Sequence, residues 1–414
     1  MISNRPAGMR GFTILWLGQI LSLLGSAMTW FAFTIWAWRI TGRPTALSTI
    51  SFFAFLPSVL LAPLAGAFVD RWNRKFVMML SDAAVAIGTL TVLILYTTDH
   101  LQLWHIYVVG ILAGFFTAFQ YPAYTAAMTT MLPKDRYARA SGMLGLSTAL
   151  SGILAPVFAA ALLGVIDMSG IMVIDLITFV AAFGTLLWIN VPQPGTTEIG
   201  LQNRGTIWQE SAFGFRYIRQ RPNLLGLVAL FTAANLFLAI GATLIAPLIL
   251  AATADNASAL ATVQSVGAIG GVVGGGLLSL WGGPRRRIHG VLLGGIGACL
   301  LGILWLGLAR AMLFWAIGSF FFSFFEPFVE GGNLAIWQSK VEADVQGRVF
   351  SARRLLVQIP YLLGILIAGP LSEIWTVSNV LIVAGIGGGI VFLLGYVARA
   401  VHEVEVLMPD IQNN

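Results

Sequence analysis

Two glutamates lie inside one long apolar stretch of the chain, in Phe-Phe-Glu326-Pro-Phe-Val-Glu330-Gly-Gly-Asn. A spacing of four residues puts both carboxyl groups on the same face of a helix. Counted from Met312, Glu326 lies ~21 Å along that helix, near the middle of a membrane. Two carboxylates this close repel, so one of them can hold a proton near neutral pH, as a proton-coupling site requires. The alternative is a structural pair satisfied by hydrogen bonds or by a base such as Arg353 or Arg354.

Several carboxamide side chains also fall inside apolar stretches. Lipid penalises a carboxamide that has no partner, so we expect these side chains to face a polar path through the protein. Five of them, Gln19, Gln120, Asn235, Asn333 and Gln358, are with the two glutamates the candidate groups for proton coupling or substrate binding. The carboxamides are Gln19, Gln120, Asn235, Gln264, Asn333, Gln338 and Gln358.

One acid and three bases are concentrated in a short segment between two apolar stretches, Gly66-Ala-Phe-Val-Asp70-Arg71-Trp-Asn-Arg74-Lys75. Such a segment is typical of a cytoplasmic turn between membrane helices. A carboxylate at the inner end of a helix can accept hydrogen bonds from a helix N-terminus, or pair with a nearby base, in one conformation only. Asp70 is therefore a candidate gate latch. The alternative is that the bases only set the topology.

The composition indicates an integral membrane protein. Of the 414 residues, 58% are hydrophobic and only 10% are charged, whereas soluble domains carry about 25% charged residues. We attribute the net charge of +6 to an excess of bases on the cytoplasmic side, and we predict no nucleic-acid partner. The single cysteine, Cys299, excludes a disulfide within the chain and a thiol-metal cluster. We predict neither a metal site nor a cofactor.

The sequence carries no enzyme signature. A P-loop needs Gly-Lys-Ser/Thr, and none of Lys75, Lys134 and Lys340 stands in that context. The motifs H-E-x-x-H and G-x-S-x-G do not occur either. ATP-driven transport and hydrolysis are thus disfavoured, and we predict that the chain is not an enzyme. Two modes of transport remain: transport driven by an ion gradient, and facilitated diffusion.

Twelve apolar stretches reach the ~20 residues that a membrane helix needs. The predicted fold is therefore all-α and integral to the membrane, with twelve transmembrane helices. Turn residues or charges separate the stretches. They lie near residues 12–38, 46–69, 76–97, 103–129, 141–164, 169–190, 224–251, 259–281, 288–308, 312–338, 353–372 and 376–398.

The basic residues predict the orientation. If both termini are cytoplasmic, every lysine and arginine except Arg39, Arg43 and Arg310 lies on the cytoplasmic side of the predicted spans. An asymmetry of this size follows the positive-inside rule. It also supports the number of spans, because one missing or additional span would disturb the alternation.

A long polar stretch divides the chain into six spans and six spans. We predict an N-terminal six-helix bundle at 1–190, a cytoplasmic linker at 191–222, and a C-terminal six-helix bundle with a short cytoplasmic tail at 223–414. The second part of the linker, from Trp208, has the pattern of a short amphipathic helix on the inner membrane face. The halves are related by an internal repeat, in which the segment starting at Gly276 corresponds to the one starting at Gly66. Transporter folds are built from such repeats, with the substrate path at the repeat interface.

The segment from Gly66 to Lys75 resembles the signature G-x-x-x-D-R-x-x-R-[RK] of the major facilitator superfamily, which joins the second and third spans of its members. In that family the motif is associated with the inner gate, so the resemblance implies this role for Asp70, with Arg71 and Arg74 as its partners. In the repeat copy Leu280 stands where Asp70 would be, so the two gates are not chemically equivalent.

The fifth span contains Ser151-Gly152-Ile-Leu-Ala155-Pro156. Pro156 removes a backbone donor and crowds the carbonyl four residues earlier, where Gly152 leaves room for a kink. The stretch resembles the antiporter motif of the superfamily, G-x-x-x-G-P-x-x-G-G, although Ser151 and three alanines stand at its four glycine positions. The alternative is a kinked helix with a purely structural role.

Three further segments resemble the drug:proton antiporter branch that contains macrolide efflux proteins and an enterobactin exporter. They start at Leu15 (Leu-Trp-Leu-Gly-Gln), Phe119 (Phe-Gln-Tyr-Pro-Ala-Tyr) and Gly347 (Gly-Arg-Val-Phe-Ser). The resemblance implies two six-helix bundles, alternating access, and export driven by proton influx. Asp82 and Asp175 resemble acids at these places in relatives, for which a structural role is expected.

We therefore expect a multi-pass, monomeric secondary transporter in the cytoplasmic (inner) membrane of a bacterium. Its partners would be an amphipathic, drug-like or macrolide-like small molecule, protons and the lipid bilayer. One alternative keeps the fold and changes the cargo to a siderophore or a lysophospholipid. Another is a membrane sensor or scaffold that does not transport.

Overall fold

The computed structural model describes residues 8–192, 207–342 and 345–407. Within its helices, the side chains of residues 63, 66, 67, 70, 71 and 207–212 are not described. The fold is all-helical: 90% of the described residues are in helices and none of them is in a strand. Because lipid offers no partner to backbone N–H and C=O groups, apolar stretches of this length satisfy them within helices.

Six long helices make up the first part of the chain. The loops between them are short; one contains a single 3₁₀ turn at Lys134–Arg136. The helices are α1 (Gly8–Thr41), α2 (Pro44–Arg71), α3 (Arg74–Thr97), α4 (Leu103–Met131), α5 (Tyr137–Leu163) and α6 (Asp167–Trp188).

A short helix, six long helices and two final turns follow. Within the described residues twelve helices are long and apolar enough to cross a membrane, which confirms the predicted twelve spans. The helices are α7 (Ile207–Arg219), α8 (Pro222–Ala252), α9 (Ala257–Trp281), α10 (Arg287–Leu308), α11 (Met312–Lys340), α12 (Gln346–Trp375), α13 (Val377–Val397), α14 (Arg399–His402) and α15 (Val404–Leu407).

The chain forms two compact units. Unit 1 comprises Met1–Ile40 and Phe53–Gly205, and unit 2 comprises Thr41–Phe52 and Thr206–Asn414. Helix α2 thus begins in unit 2 and continues in unit 1. The sequence places residues 41–52 in the N-terminal bundle, whereas their contacts are with unit 2. The domain boundaries at 190 and 223 stay a prediction.

Each unit has its own apolar core. In unit 1 the core joins α1, α3, α4 and α6 through residues such as Phe12, Met78, Ala127 and Leu186. In unit 2 it joins α8, α10, α11 and α13. Its members include Phe231, Leu292, Trp337 and Phe392. These cores hold the helices that carry the candidate site residues in fixed register.

Glycines let α9 and α11 of unit 2 approach each other closely. A Cβ added at Gly270 would collide with the backbone carbonyl of Phe320, and one added at Gly274 would collide with that of Phe324. Small residues at a spacing of four commonly permit close helix packing in lipid. The contact helps to fix the position of α11, which carries the candidate residues Glu326 and Glu330.

Candidate functional site

The two glutamates of α11 project from the same side of the helix and are both exposed. Their neighbours on α12 differ. The Arg353 guanidinium interacts electrostatically with Glu330, whereas Glu326 interacts with the phenol of Tyr361. Within the described residues neither glutamate is in direct ion-pair contact. An exposed carboxyl group at this depth needs water or a proton, because lipid does not solvate its charge.

A buried polar face continues along α11 beyond Glu330. The Asn333 side chain is completely buried, and neither its amide nitrogen nor its amide oxygen has a hydrogen-bond partner among the described residues. One turn further, the same holds for the indole N–H of Trp337. Such groups are nearly always paired with protein or water in folded proteins. These atoms are therefore candidate partners for a water molecule or a polar ligand.

Arg353 connects this polar face to the glutamates. Its guanidinium carbon lies 5.4 Å from the centre of the Trp337 ring, a cation–π contact. The same guanidinium is the electrostatic partner of Glu330. Glu326, Glu330, Asn333 and Trp337 on α11 and Arg353 on α12 therefore form one candidate site within unit 2, which combines carboxyl, amide and guanidinium groups.

The carboxamides of unit 1 converge on an acid. Gln19 of α1 donates a hydrogen bond from Nε2 to Oδ2 of Asp82 on α3, at 2.9 Å. Gln120 of α4 donates from Nε2 to Oδ1 of the same carboxylate, and lies 3.4 Å from Oε1 of Gln19. Asp82 is only 6% exposed. The two amides, predicted to face a path, are thus bound to a buried carboxylate that links three helices.

Two more of the predicted carboxamides bind groups on α12. Asn235 of α8 is buried and donates to the carbonyl of Val357 at 3.2 Å, which ties α8 to α12. Gln358 accepts a hydrogen bond from Nε of Arg354 at 3.1 Å. Both contacts stabilise unit 2 and leave the Glu326–Asn333 group as the strongest candidate site there.

Metal chemistry finds no support in the described ranges. They contain no group of three or more histidine, cysteine, aspartate or glutamate side chains that could hold an ion. Cys299 is buried. It lies in the π-helical turn Ala298–Leu304 of α10.

Comparison with known families fixes the class of this molecule. Residues 15–360 match the family described as the Major Facilitator Superfamily. The chain belongs to this superfamily. It is a multi-pass membrane transporter by family, as the segment Gly66–Lys75 and the twelve helices predict.

Two similar proteins cover most of the length of this superfamily member. Macrolide efflux protein A of Streptococcus pyogenes is 25% identical over 401 residues, which span 96% of this chain and 97% of that protein. Macrolide efflux protein A of Enterococcus faecalis is 26% identical over 322 residues, which span 77% of this chain and 98% of that one.

Solved structures share the superfamily fold. A bacterial homologue of the iron transporter ferroportin, in an inward-facing state, aligns with a TM-score of 0.69 at 15% identity, over 94% of this chain and 99% of that one. A bacterial homologue of the human lysosomal transporter Spinster aligns with a TM-score of 0.66 at 14% identity, over 96% and 99% of the two chains. At these identities the likeness establishes the fold alone.

The superfamily gate motif is described only in part. Gly66, Asp70 and Arg71 lie in α2, but their side chains are outside the described set. Arg74 is buried at the start of α3 and donates from Nη1 to the carbonyl of Ala126 at 3.3 Å. The proposed latch at Asp70 therefore stays a prediction, whereas Arg74 has a defined contact on α4.

Lys75 holds the end of another helix of unit 1. Its Nζ donates to the carbonyls of Leu187 and Ile189, at 3.1 and 2.8 Å. A base at the C-terminus of α6 satisfies carbonyls that have no partner within the helix and opposes the negative end of its dipole. Lys75 thus has a defined structural contact within unit 1.

The kink motif of the superfamily lies inside α5. Pro156 is buried within a helix that runs without interruption from Tyr137 to Leu163, and Gly152 is exposed one turn earlier. An antiporter role for this segment stays a prediction.

Sequence reasoning missed how the polar groups combine. It expected a structural role for Asp82 and did not join it to Gln19 or Gln120, which are 63 and 38 residues away in the chain. It named Arg353 only as a possible base, and Tyr361 not at all. The signal for Asp82 was present, since a carboxylate inside a membrane helix is costly and demands partners.

Proposed function

We propose that this superfamily member is a secondary transporter that exports amphipathic, macrolide-like small molecules in exchange for protons. The observation that carries the proposal is the pair of exposed carboxyl groups, Glu326 and Glu330, on one face of the apolar helix α11. The similarity to two proteins named macrolide efflux protein A supports the direction and the cargo class.

The two glutamates have different parts in this proposal. The guanidinium of Arg353 is the electrostatic partner of Glu330, whereas no described base interacts with Glu326. The two carboxyl groups are one helical turn apart on the same face of α11. Glu326 is therefore the group that carries the exchangeable proton, and Glu330 with Arg353 sets how firmly that proton is held.

Substrate recognition follows from the groups next to this pair. Asn333 and the indole N–H of Trp337 offer hydrogen bonds that no described residue takes up. An amphipathic substrate supplies hydroxyl or amine groups for such contacts and an apolar body for the aromatic side chains of α11. A cationic substrate also competes with the proton for the carboxylates, which couples the two flows.

Alternating access completes the proposed mechanism. The two bundles rock about a site near the membrane midplane, as in transporters built from repeats. Gly66, Asp70, Arg71, Arg74 and Lys75 hold the inner gate. The distribution of basic residues supports cytoplasmic termini and a location in the bacterial inner membrane. We also propose that the protein works as a monomer.

The test is proton release from inside-out vesicles of cells that overproduce the protein. An acid-inside gradient is followed with an acridine dye while macrolides, dyes and siderophores are added one at a time. We expect macrolide-like compounds to collapse the gradient in wild-type vesicles. The variant E326Q/E330Q should respond no more than vesicles without the protein.

The matched control is E403Q, which makes the same chemical change at Glu403, a residue paired with Arg399 at 2.8 Å after the last span. It should retain the full response. A response to siderophores alone would replace the cargo class with that of a siderophore carrier. An unchanged response of E326Q/E330Q would overturn the assignment of the glutamates. A lack of response to every compound, with folded protein present, would favour facilitated diffusion, another ion or a sensor.

A further inference from the structure

Unit 1 contains a second buried acid besides Asp82. Asp175 of α6 is 4% exposed. Its Oδ1 accepts a hydrogen bond from Oγ of Ser26 on α1 at 2.9 Å, and its Oδ2 accepts one from Oγ1 of Thr89 on α3 at 3.1 Å. Like Asp82, it thus bridges α1 and α3. All the described donors to Asp175 are neutral hydroxyl groups.

The two buried acids and their hydrogen-bond partners lie in one column of polar groups along α1 and α3. On α3, Asp82 and Thr89 are seven residues apart, which is two turns or ~10 Å. Their partners on α1, Gln19 and Ser26, are also seven residues apart. Because the spacing is equal on both helices, the two carboxylates lie along the same interface between α1 and α3.

The column reaches the end of α3. Tyr96, seven residues beyond Thr89, donates from its hydroxyl to Oδ2 of Asp167 at 2.6 Å. Asp167 is exposed at the first residue of α6. A series of polar groups on one face of α3 therefore runs from an exposed carboxylate to the buried ones.

The charges around the column are few. Tyr124 of α4 faces Asp82 electrostatically, and its buried hydroxyl has no hydrogen-bond partner in the described part of the chain. Arg39 of α1 and Asp99 lie near the Tyr96 end. Among the described residues no base forms an ion pair with Asp82 or Asp175. Buried carboxylates with neutral donors only are costly when ionised, which a merely structural contact between apolar helices does not require.

We propose that Asp82 and Asp175 form a second proton-binding site, in unit 1, which is separate from Glu326 and Glu330. A proton that binds to Asp82 adds to a carboxylate oxygen and turns it into a donor. That oxygen then needs an acceptor, so the carboxamide of Gln19 or Gln120 must present its oxygen in place of its nitrogen. Proton binding is thereby transmitted to α1 and α4. The inference concerns proton uptake and holds for any transported cargo.

The test is pH-difference infrared spectroscopy of the full-length protein in lipid nanodiscs, read at the C=O stretch of protonated carboxyl groups. We expect titrating carboxyl bands that D82N and D175N each reduce. The matched control, E326Q/E330Q, should remove other bands and leave these two. Because no substrate is present, the outcome is independent of the transport assay. Spectra of D82N and D175N that equal the wild-type spectrum would overturn the proposal.

A variant that keeps the carboxylate covers the case in which D82N does not fold. Q120L removes one donor to ionised Asp82. This hydrogen bond stabilises the ionised carboxylate, so its loss favours the protonated form. The titration midpoint of the Asp82 band should therefore move to higher pH by about one to two units. An unmoved midpoint in folded Q120L contradicts the proposed site.

Discussion

Arg43 and Glu373 form a two-point salt bridge within unit 2. Nη2 of Arg43 lies 2.7 Å from Oε2 of Glu373, and Nε lies 3.3 Å from Oε1. The backbone N–H of Thr45 donates to the same carboxylate at 3.2 Å. The hydrogen bond to Glu373 raises the pKa of the Arg43 guanidinium. One carboxylate near the C-terminal end of α12 thus binds both the residue before α2 and the first turn of α2.

The salt bridge predicts a coupled effect of two substitutions. We expect R43Q and E373Q each to lower the melting temperature slightly, and the double variant to lower it by less than the sum of the two. The Arg43 side chain is 66% exposed, so the coupling should be small and should fall as salt is added. The measurement is thermal unfolding in detergent at low and high ionic strength. Additive effects that do not change with salt would contradict the contact.

The close approach of α9 and α11 predicts a strong effect of one methyl group. G274A places a Cβ against the carbonyl of Phe324, and overpacking of this kind costs about 1–3 kcal/mol of unfolding free energy. The matched control is G276A, because a Cβ there meets nothing within 4 Å. Unfolding in mixed micelles should separate the two variants. Equal stabilities would mean that the helices are further apart than described.

The buried amide of Asn333 predicts that one substitution will raise the stability and lower the transport activity. N333L keeps the number and branching of the side-chain heavy atoms and removes two polar groups that have no described partner. We expect the free energy of unfolding to rise by about 1–3 kcal/mol, since the desolvation penalty of the amide is removed. Substrate-dependent proton release should fall at the same time. A loss of stability in N333L would indicate that the amide is already satisfied in the folded protein.

The contacts of α7 with Glu342 predict that the stability of α7 depends on pH. Glu342 accepts a hydrogen bond from the hydroxyl of Tyr217, and Arg221 lies 3.6 Å from the same carboxylate. The Tyr217 hydrogen bond is the main cause that lowers the pKa of Glu342. Burial, followed by the hydrogen bond to Glu342, raises the pKa of Tyr217 to about 12.

The direction of the pH effect on stability follows from the lowered pKa of Glu342. A group whose pKa is lower in the folded state stabilises the fold fully above its ordinary pKa, about 4.3, and loses that contribution as pH falls through the lowered value. Hydrogen exchange of residues 213–219 should therefore show constant protection by Glu342 from pH 7 to pH 5 and a loss in more acidic solution. In E342Q the protection should be weaker at neutral pH and should not depend on this titration.

The sequence predicts the helices well and their side-chain partners poorly. Twelve apolar stretches became twelve helices because a membrane leaves the backbone few other ways to satisfy its hydrogen bonds. The pattern from Trp208 also gave the position of α7. The partners of Gln19 and Gln120 depend on which faces of α1, α3 and α4 meet. Local periodicity does not contain that information, so both residues were assigned to a path although they bind Asp82.

Residues 41–52 of unit 2 have a consequence for biosynthesis. They leave the ribosome long before the rest of unit 2, since Arg43 and Glu373 are 330 residues apart in the chain. Domains generally fold as units, the N-terminal one first. Here the start of α2 has to stay in the bilayer without its partners until α12 has been inserted. The contacts of unit 2 are therefore complete only when translation is nearly finished.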